Sequence, residues 1–169
     1  SWFCLCTLPR VVTTTPGEAS GFCEPCGCRA VYRTLVANVR HQANGEVRGA
    51  YARRVSRAFV SCHAEAIRHA PCLFQEFVAK KSELRVTVIG DRVFTSRCHS
   101  ENASDDRVDW RQDIERRLHS AVALPRPLPE KVLRLMAELG LVMACIDLIC
   151  SDDGRVFFLE VNPHGQWYW

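Results

Sequence analysis

The chain reads as an α+β protein built on antiparallel hairpins, and three patterns point there. Leu84–Ile89 and Val93–Cys98 are rich in strand formers and flank Gly90-Asp91, a hairpin turn pair. Val142–Cys150 and Val156–Val161 repeat the arrangement around Ser151-Asp-Asp-Gly-Arg155. Leu128–Leu139 is the best helix: Val132, Leu133, Leu135, Met136 and Leu139 share a face, Pro129 lies in the first turn and Gly140 follows.

The other elements follow in chain order. Gly17 to Cys26 reads as a short helix ended by Gly27, and Ala30–Leu35 as a strand. Val36–Tyr51 is polar, basic at Arg40, His41 and Arg48, and without periodicity; it reads as a loop. Val55–Val60 reads as a strand, then a helix runs from an N-cap at Ser61 to about His69, before Pro71. Leu73–Val78 is a further strand, and Ser100–Asp113 a charged loop.

Composition narrows the function. With 169 residues, 22 Lys and Arg against 19 Asp and Glu, the net charge is +3, too small to imply nucleic acid. At 47% apolar and 24% charged the composition is that of a globular protein, and no apolar run reaches the length of a membrane span. The opening SWFCLC lacks the form of a secretory signal, and a chain without an initiator Met that stops at Trp169 is expected to be part of a longer polypeptide. The ten cysteines are scattered, several within apolar strands, which suits reduced, buried thiols in the cytoplasm. Cys23-x-x-Cys26-x-Cys28 has metal-like spacing but lacks a fourth ligand and a second pair, so zinc is not expected.

Chemistry concentrates in the last hairpin. If Asp153-Gly154 is a two-residue turn, Asp152 pairs with Arg155, Cys150 faces Phe157, Leu148 faces Leu159, and Asp147 faces Glu160. Asn162 then projects from the same face as Glu160. Two carboxylates opposed in otherwise apolar strands repel, so something positive belongs between them. Two carboxylates and an amide oxygen form an oxygen-only set suited to Mg²⁺ or Mn²⁺. Pairing of each acid with an arginine is the alternative, and a slip of one residue would separate them.

The closing run Arg155-Val-Phe-Phe-Leu-Glu160-Val-Asn162-Pro163-His-Gly165-Gln166-Trp167 resembles the final motif of ATP-grasp ligases. Its Gly165-Gln166-Trp167 extension is similar to the graspetide or microviridin-type branch, which macrocyclises ribosomal peptides. Phe74-Gln75-Glu76-Phe77-Val78 resembles the adenine-holding hinge strand, and Glu83-Leu-Arg85 the strand with a ribose-binding acid and a phosphate-binding arginine. Asp109-Trp110-Arg111 resembles a motif of the maturase branch, as does Arg97-Cys-His99-Ser-Glu101, from which no catalytic role is assigned to His99.

The resemblance implies an ATP-grasp fold of two α+β lobes with the nucleotide cleft between them. Residues 1–8 would be the remnant of a preceding domain, 9–71 the smaller lobe, and 72–169 the larger lobe with hinge strand and metal-binding hairpin. It implies ATP and Mg²⁺, with Arg85 catalytic; Arg33, Gln75, Glu76, Phe77, Val78 and Glu83 on ATP; Asp147, Glu160 and Asn162 on metal; and Asp109 and Arg111 on the peptide. The activity implied is activation of Asp or Glu side chains of a precursor peptide as acyl phosphates, followed by ester or amide ring closure. The implied partner is that ribosomal peptide, with no nucleic acid or membrane, in a bacterial cytoplasm; a homodimer stays open. Arg33 stands where the family carries a lysine, which keeps the charge but alters its geometry. Two alternatives stand beside this: a general ATP-grasp carboxylate–amine ligase, and a truncated, non-catalytic nucleotide- or peptide-binding module.

Overall fold

The structure, a computed structural model, describes residues 5–24, 30–35, 39–41, 47–49, 52–99 and 119–165, of which 39–41, 47–49 and 99 are described by their backbone alone. These fall in two compact units, one built from residues within 9–78 and the other from residues 5–8, 79–99 and 119–165.

In the first unit, β1 (Arg10–Thr13), α1 (Pro16–Cys23), β2 (Ala30–Thr34), the short pair β3 (Val39–His41) and β4 (Val47–Gly49), β5 (Arg53–Val55), α2 (Arg57–Cys62), α3 (Ala64–His69) and β6 (Cys72–Glu76) follow in sequence. The sheet order is β1-β6-β2-β5, antiparallel throughout. Ala30, Val55, Cys72 and Phe74 form a core with Ala19, Cys23, Val60 and Ile67 of the helices. One sheet face is thus closed by helices, and alternation sends Val31, Arg33, Leu73 and Gln75 to the other.

In the second unit, β7 (Lys80–Ile89), β8 (Arg92–His99), β9 (His119–Ala121), α4 (Leu128–Glu138), β10 (Met143–Ser151) and β11 (Val156–Asn162) build a five-stranded antiparallel sheet, β11-β10-β7-β8-β9. Leu84, Val86, Val88, Ala144, Ile146 and Leu148 pack with Val132 and Met136 of α4. Gly140, at φ 64°, ends α4 in a Schellman turn: Leu141 N–H donates to Met136 O at 2.9 Å and Gly140 N–H to Ala137 O at 3.1 Å.

Several expectations change. Val55–Val60 is not a strand: Ser56 Oγ accepts from Phe59 N–H at 3.3 Å and starts α2 there, so the cap is Ser56 and not Ser61. The 36–51 region contains a β-pair, and β1 and β9 had no sequence pattern strong enough to show. Strand β6, read as the hinge and expected to open the larger lobe at residue 72, is hydrogen-bonded between β1 and β2, and the first unit runs through Val78. Thr7 bridges to Phe158, whose N–H donates to Cys6 O at 2.7 Å; this end of the chain lies along β11 in the second unit rather than forming a piece apart. The seven described cysteines are free thiols, but Cys6 and Cys62 are exposed rather than buried; Cys4, Cys26, Gly27 and Cys28 lie outside the described residues. No described helix is long and apolar enough to cross a membrane.

Candidate functional site

The last hairpin reaches the expected pairing by an unexpected route. Its turn is one residue longer: Ser151 N–H donates to Arg155 O at 2.9 Å, Gly154 N–H donates to Ser151 O at 3.0 Å, and Gly154 takes φ 83°. This is a three-residue loop closed by a left-handed glycine. Near the turn Cys150 therefore faces Val156 and Leu148 faces Phe158, each one residue from expectation. The register then shifts between Leu148 and Asp147, leaving Leu159 as an extra residue, and Asp147 faces Glu160 after all. The bulge also explains the apolar spacing: Val156, Phe158 and Val161 join the core under α4, with a step of two and then of three.

Across the sheet, Asp147 of β10 faces Glu160 on one side and Arg85 of β7 on the other. The row Arg85–Asp147–Glu160 lies on the sheet face opposite the α4 core, since its neighbours Leu84, Val86, Ile146 and Leu148 point into that core. One step along, Thr87, Cys145 and Asn162 form a parallel row; one step back stand Glu83, Ile149 and Phe157. Asp147, Glu160, Asn162, Arg85 and Glu83 are thus brought onto one face.

Arg85 Nη1 donates to both carboxylate oxygens of Asp147, at 2.7 and 2.8 Å, with side chains only 12% and 9% exposed. The alternative of an arginine partner therefore holds for Asp147. Burial pushes the Asp147 carboxyl up to about 6, opposed by Arg85 and reinforced by Glu160 and Glu83. Arg85 is held more firmly protonated: burial works against its charge, and the Asp147 carboxylate outweighs it. Asp147 and Glu160 thus stand opposite each other beside the guanidinium. Two carboxylates and an amide oxygen around such a point fit a hard divalent cation. Among the described residues no group of three or more His, Cys, Asp or Glu gathers to hold a metal ion, so the set here is two acids and an amide.

After β11 the chain turns back over the same face. Asn162 Oδ1 accepts His164 N–H at 3.0 Å and Asn162 O accepts Gly165 N–H at 3.2 Å. Gly165 then lies on Cys145: a Cβ there would stand 2.6 Å from Cys145 Cβ and 3.0 Å from an Arg85 terminal nitrogen. Cys145, expected to behave as a core hydrophobe, is buried on the polar face because this turn covers it.

In the first unit, Arg33 and Gln75 share the face turned away from the helices, with Gln75 only 4% exposed. Glu76 N–H donates to Pro9 O at 3.0 Å. Phe77 lies under the Arg54 guanidinium, 4.4 Å from ring centroid to Cζ. Asp109, Arg111, Gln166 and Trp167 lie outside the described residues. Missed altogether was Lys80, whose ammonium pairs with Glu83. The run Lys80-Lys81-Ser82 reads as ordinary surface charge.

No family model and no curated protein sequence matches the chain. Solved structures do. Macrocyclase MdnC from Microcystis aeruginosa MRC, bound with precursor peptide MdnA, is 26% identical at TM-score 0.83, over 98% of this chain and 51% of its own. Macrocyclase MdnB from the same organism is 31% identical at TM-score 0.70, over 96% and 48%. The RiPP-associated ATP-grasp ligase of Chryseobacterium gregarium, in complex with ADP and a leader and core peptide, is 23% identical at TM-score 0.88, over 98% and 50%. The chain spans about half the length of the structures it matches.

Proposed function

We propose that this chain, which has the ATP-grasp fold of the ribosomal-peptide macrocyclases, is the nucleotide- and metal-binding part of a peptide-macrocyclising ligase. The enzyme would use ATP and Mg²⁺ to activate Asp or Glu side chains of a precursor peptide and close ester or amide rings with Ser, Thr or Lys side chains. The observation that carries this reading is the row Arg85–Asp147–Glu160, where two acids and a guanidinium meet on one sheet face.

The chemistry demands such a face. A substrate carboxylate attacks the γ-phosphorus of ATP, forming an acyl phosphate and releasing ADP. A hydroxyl or amine then attacks the acyl carbon, phosphate leaves, and the attacking group gives up its proton. The first step brings anion to anion, so fixed cations must offset the repulsion. Arg85 would place its guanidinium on the transferring phosphoryl group, held in aim by its two hydrogen bonds to Asp147. Asp147, Glu160 and Asn162 would hold Mg²⁺, which supplies charge neutralisation on the phosphate oxygens. Glu83 would accept from ribose hydroxyls. Arg33 would serve a phosphate, and Gln75 with the Glu76–Val78 backbone the adenine. Asp109 and Arg111 would meet the peptide.

The test is mass spectrometry of an acidic, Thr- and Lys-containing precursor incubated with the protein, ATP and Mg²⁺. Loss of one water per ring is expected, and Glu160→Ala should abolish it. Nucleotide binding without ADP release or water loss would overturn the ligase reading in favour of a non-catalytic binding module, the reading that Arg33 favours.

A further inference from the structure

Lys80 and Glu83 stand three residues apart on one strand, a spacing that normally puts side chains on opposite faces of a sheet. Here they meet, because the β10–β7 register shifts: Cys150 faces Ser82 but Ser151 faces Lys80, leaving Lys81 as an extra residue. The bulge turns Lys80 onto the face that carries Glu83 and Arg85. Its ammonium pairs with Glu83 Oε1, and the two side chains are only 8% and 9% exposed. A bulge that carries a lysine into a buried pair is a local device. Surface lysines do not need one.

Glu83 sits between Cys98 of β8 and Ile149 of β10, so its carboxylate would be costly without a cation. With Oε1 tied to Lys80, the carboxylate is held in one orientation on the face that also carries the Arg85–Asp147 row. A vicinal diol offers two hydroxyl donors, and a carboxylate already held in place binds them without first losing rotamer freedom.

We propose that Lys80 is the positioning residue for Glu83, and that through it the site selects a nucleotide carrying free ribose hydroxyls. This rests on the reading of the face as a nucleotide site. Lys80 touches no phosphate in this account; it acts only through the Glu83 carboxylate. Its removal should therefore be felt by a ribose with hydroxyls and not by one without them.

The experiment is titration calorimetry of the full chain with Mg²⁺ and either ADP or 2′,3′-dideoxy-ADP. Wild type should prefer ADP by about tenfold or more, the worth of hydrogen bonds to a charged acceptor. Lys80→Met should lose most of that preference by weakening ADP alone, Glu83→Gln should do the same, and the double variant should be no worse than either. Lys80→Arg, which keeps the charge, should recover much of the preference. If Lys80→Met fails to fold, the double variant Lys80→Met/Glu83→Gln leaves no unpaired charge and reports the loss, while Lys80→Arg reports the rescue. A Lys80→Met protein that weakens both nucleotides equally, or keeps the wild-type preference, overturns the proposal and leaves the nucleotide site standing. A wild-type chain that binds neither nucleotide overturns the nucleotide site itself.

Discussion

Replacing Glu160 by glutamine should stabilise the metal-free protein at pH 8 and leave it unchanged at pH 5. Glu160 faces Asp147, while Arg85 bonds Asp147 from the other side, so the change removes a like charge and keeps the ion pair. The Asp147 carboxyl moves from its ordinary 3.8 to about 6 on folding. At about 1.4 kcal/mol for each tenfold change in proton affinity, its charged form is penalised by about 3 kcal/mol relative to the unfolded chain. A raised carboxyl contributes stability that is full below its unfolded value and is lost as pH rises through about 6. The metal-free protein should therefore weaken between pH 4 and pH 8. Burial is the larger cause and Glu160 a smaller one, so Glu160→Gln should remove about 1 kcal/mol of that loss, the scale of a like-charge pair across strands. Urea denaturation with a chelator at pH 5, 6, 7 and 8 measures both slopes. Wild type and variant should coincide at pH 5, where Asp147 is largely protonated, and separate by pH 8. A variant less stable than wild type at pH 8, or one with an undiminished slope, would show that Asp147 does not feel the Glu160 charge.

The remaining predictions follow the same geometry. Asp147→Ala should differ from Glu160→Gln at pH 8, where Asp147 is ionised: it strips two hydrogen bonds from a buried guanidinium and should cost about 2 kcal/mol in the same denaturation assay, where Glu160→Gln gains. Added Mg²⁺ should raise the melting temperature of wild type at pH 8 and have little effect on Glu160→Gln; an equal rise in both would remove Glu160 from the metal site. Gly165→Ala puts a Cβ 2.6 Å from that of Cys145 and should destabilise by about 1–3 kcal/mol, with relief when Cys145→Gly is added. Arg33→Lys should bind ATP with Mg²⁺ up to about fivefold more tightly, since a compact ammonium fits a narrow strand position where a guanidinium needs width. Weaker binding by calorimetry would make arginine this protein's own solution.

Local chemistry carried a large part of this protein in its sequence. Gly140 after an amphipathic run stopped α4 where a Schellman turn needed a left-handed residue. Gly90-Asp91 closed the β7–β8 hairpin with Ile89 facing Arg92. The ordered motifs around Phe74–Val78, Glu83–Arg85 and Glu160–Trp167 resemble those of the ATP-grasp ligases, whose fold the chain shares. The Asp147–Glu160 pairing was also legible, though only because two errors cancelled: the turn is one residue longer than Asp153-Gly154 alone, and a bulge at Leu159 restores the count. Tertiary structure decided the rest. Whether Phe59-Val60 is strand or helix depended on Ser56 accepting Phe59 N–H and on Val60 finding a helix-side core. That β6 belongs with β1 and β2, that Arg85 is the partner of Asp147, that Gly165 covers Cys145 and that Lys80 reaches Glu83 are all facts about strands far apart in the chain or about bulges. A bulge is one extra residue with no periodicity of its own, and a strand's neighbour is chosen by the whole packed sheet. Neither is written in the local pattern.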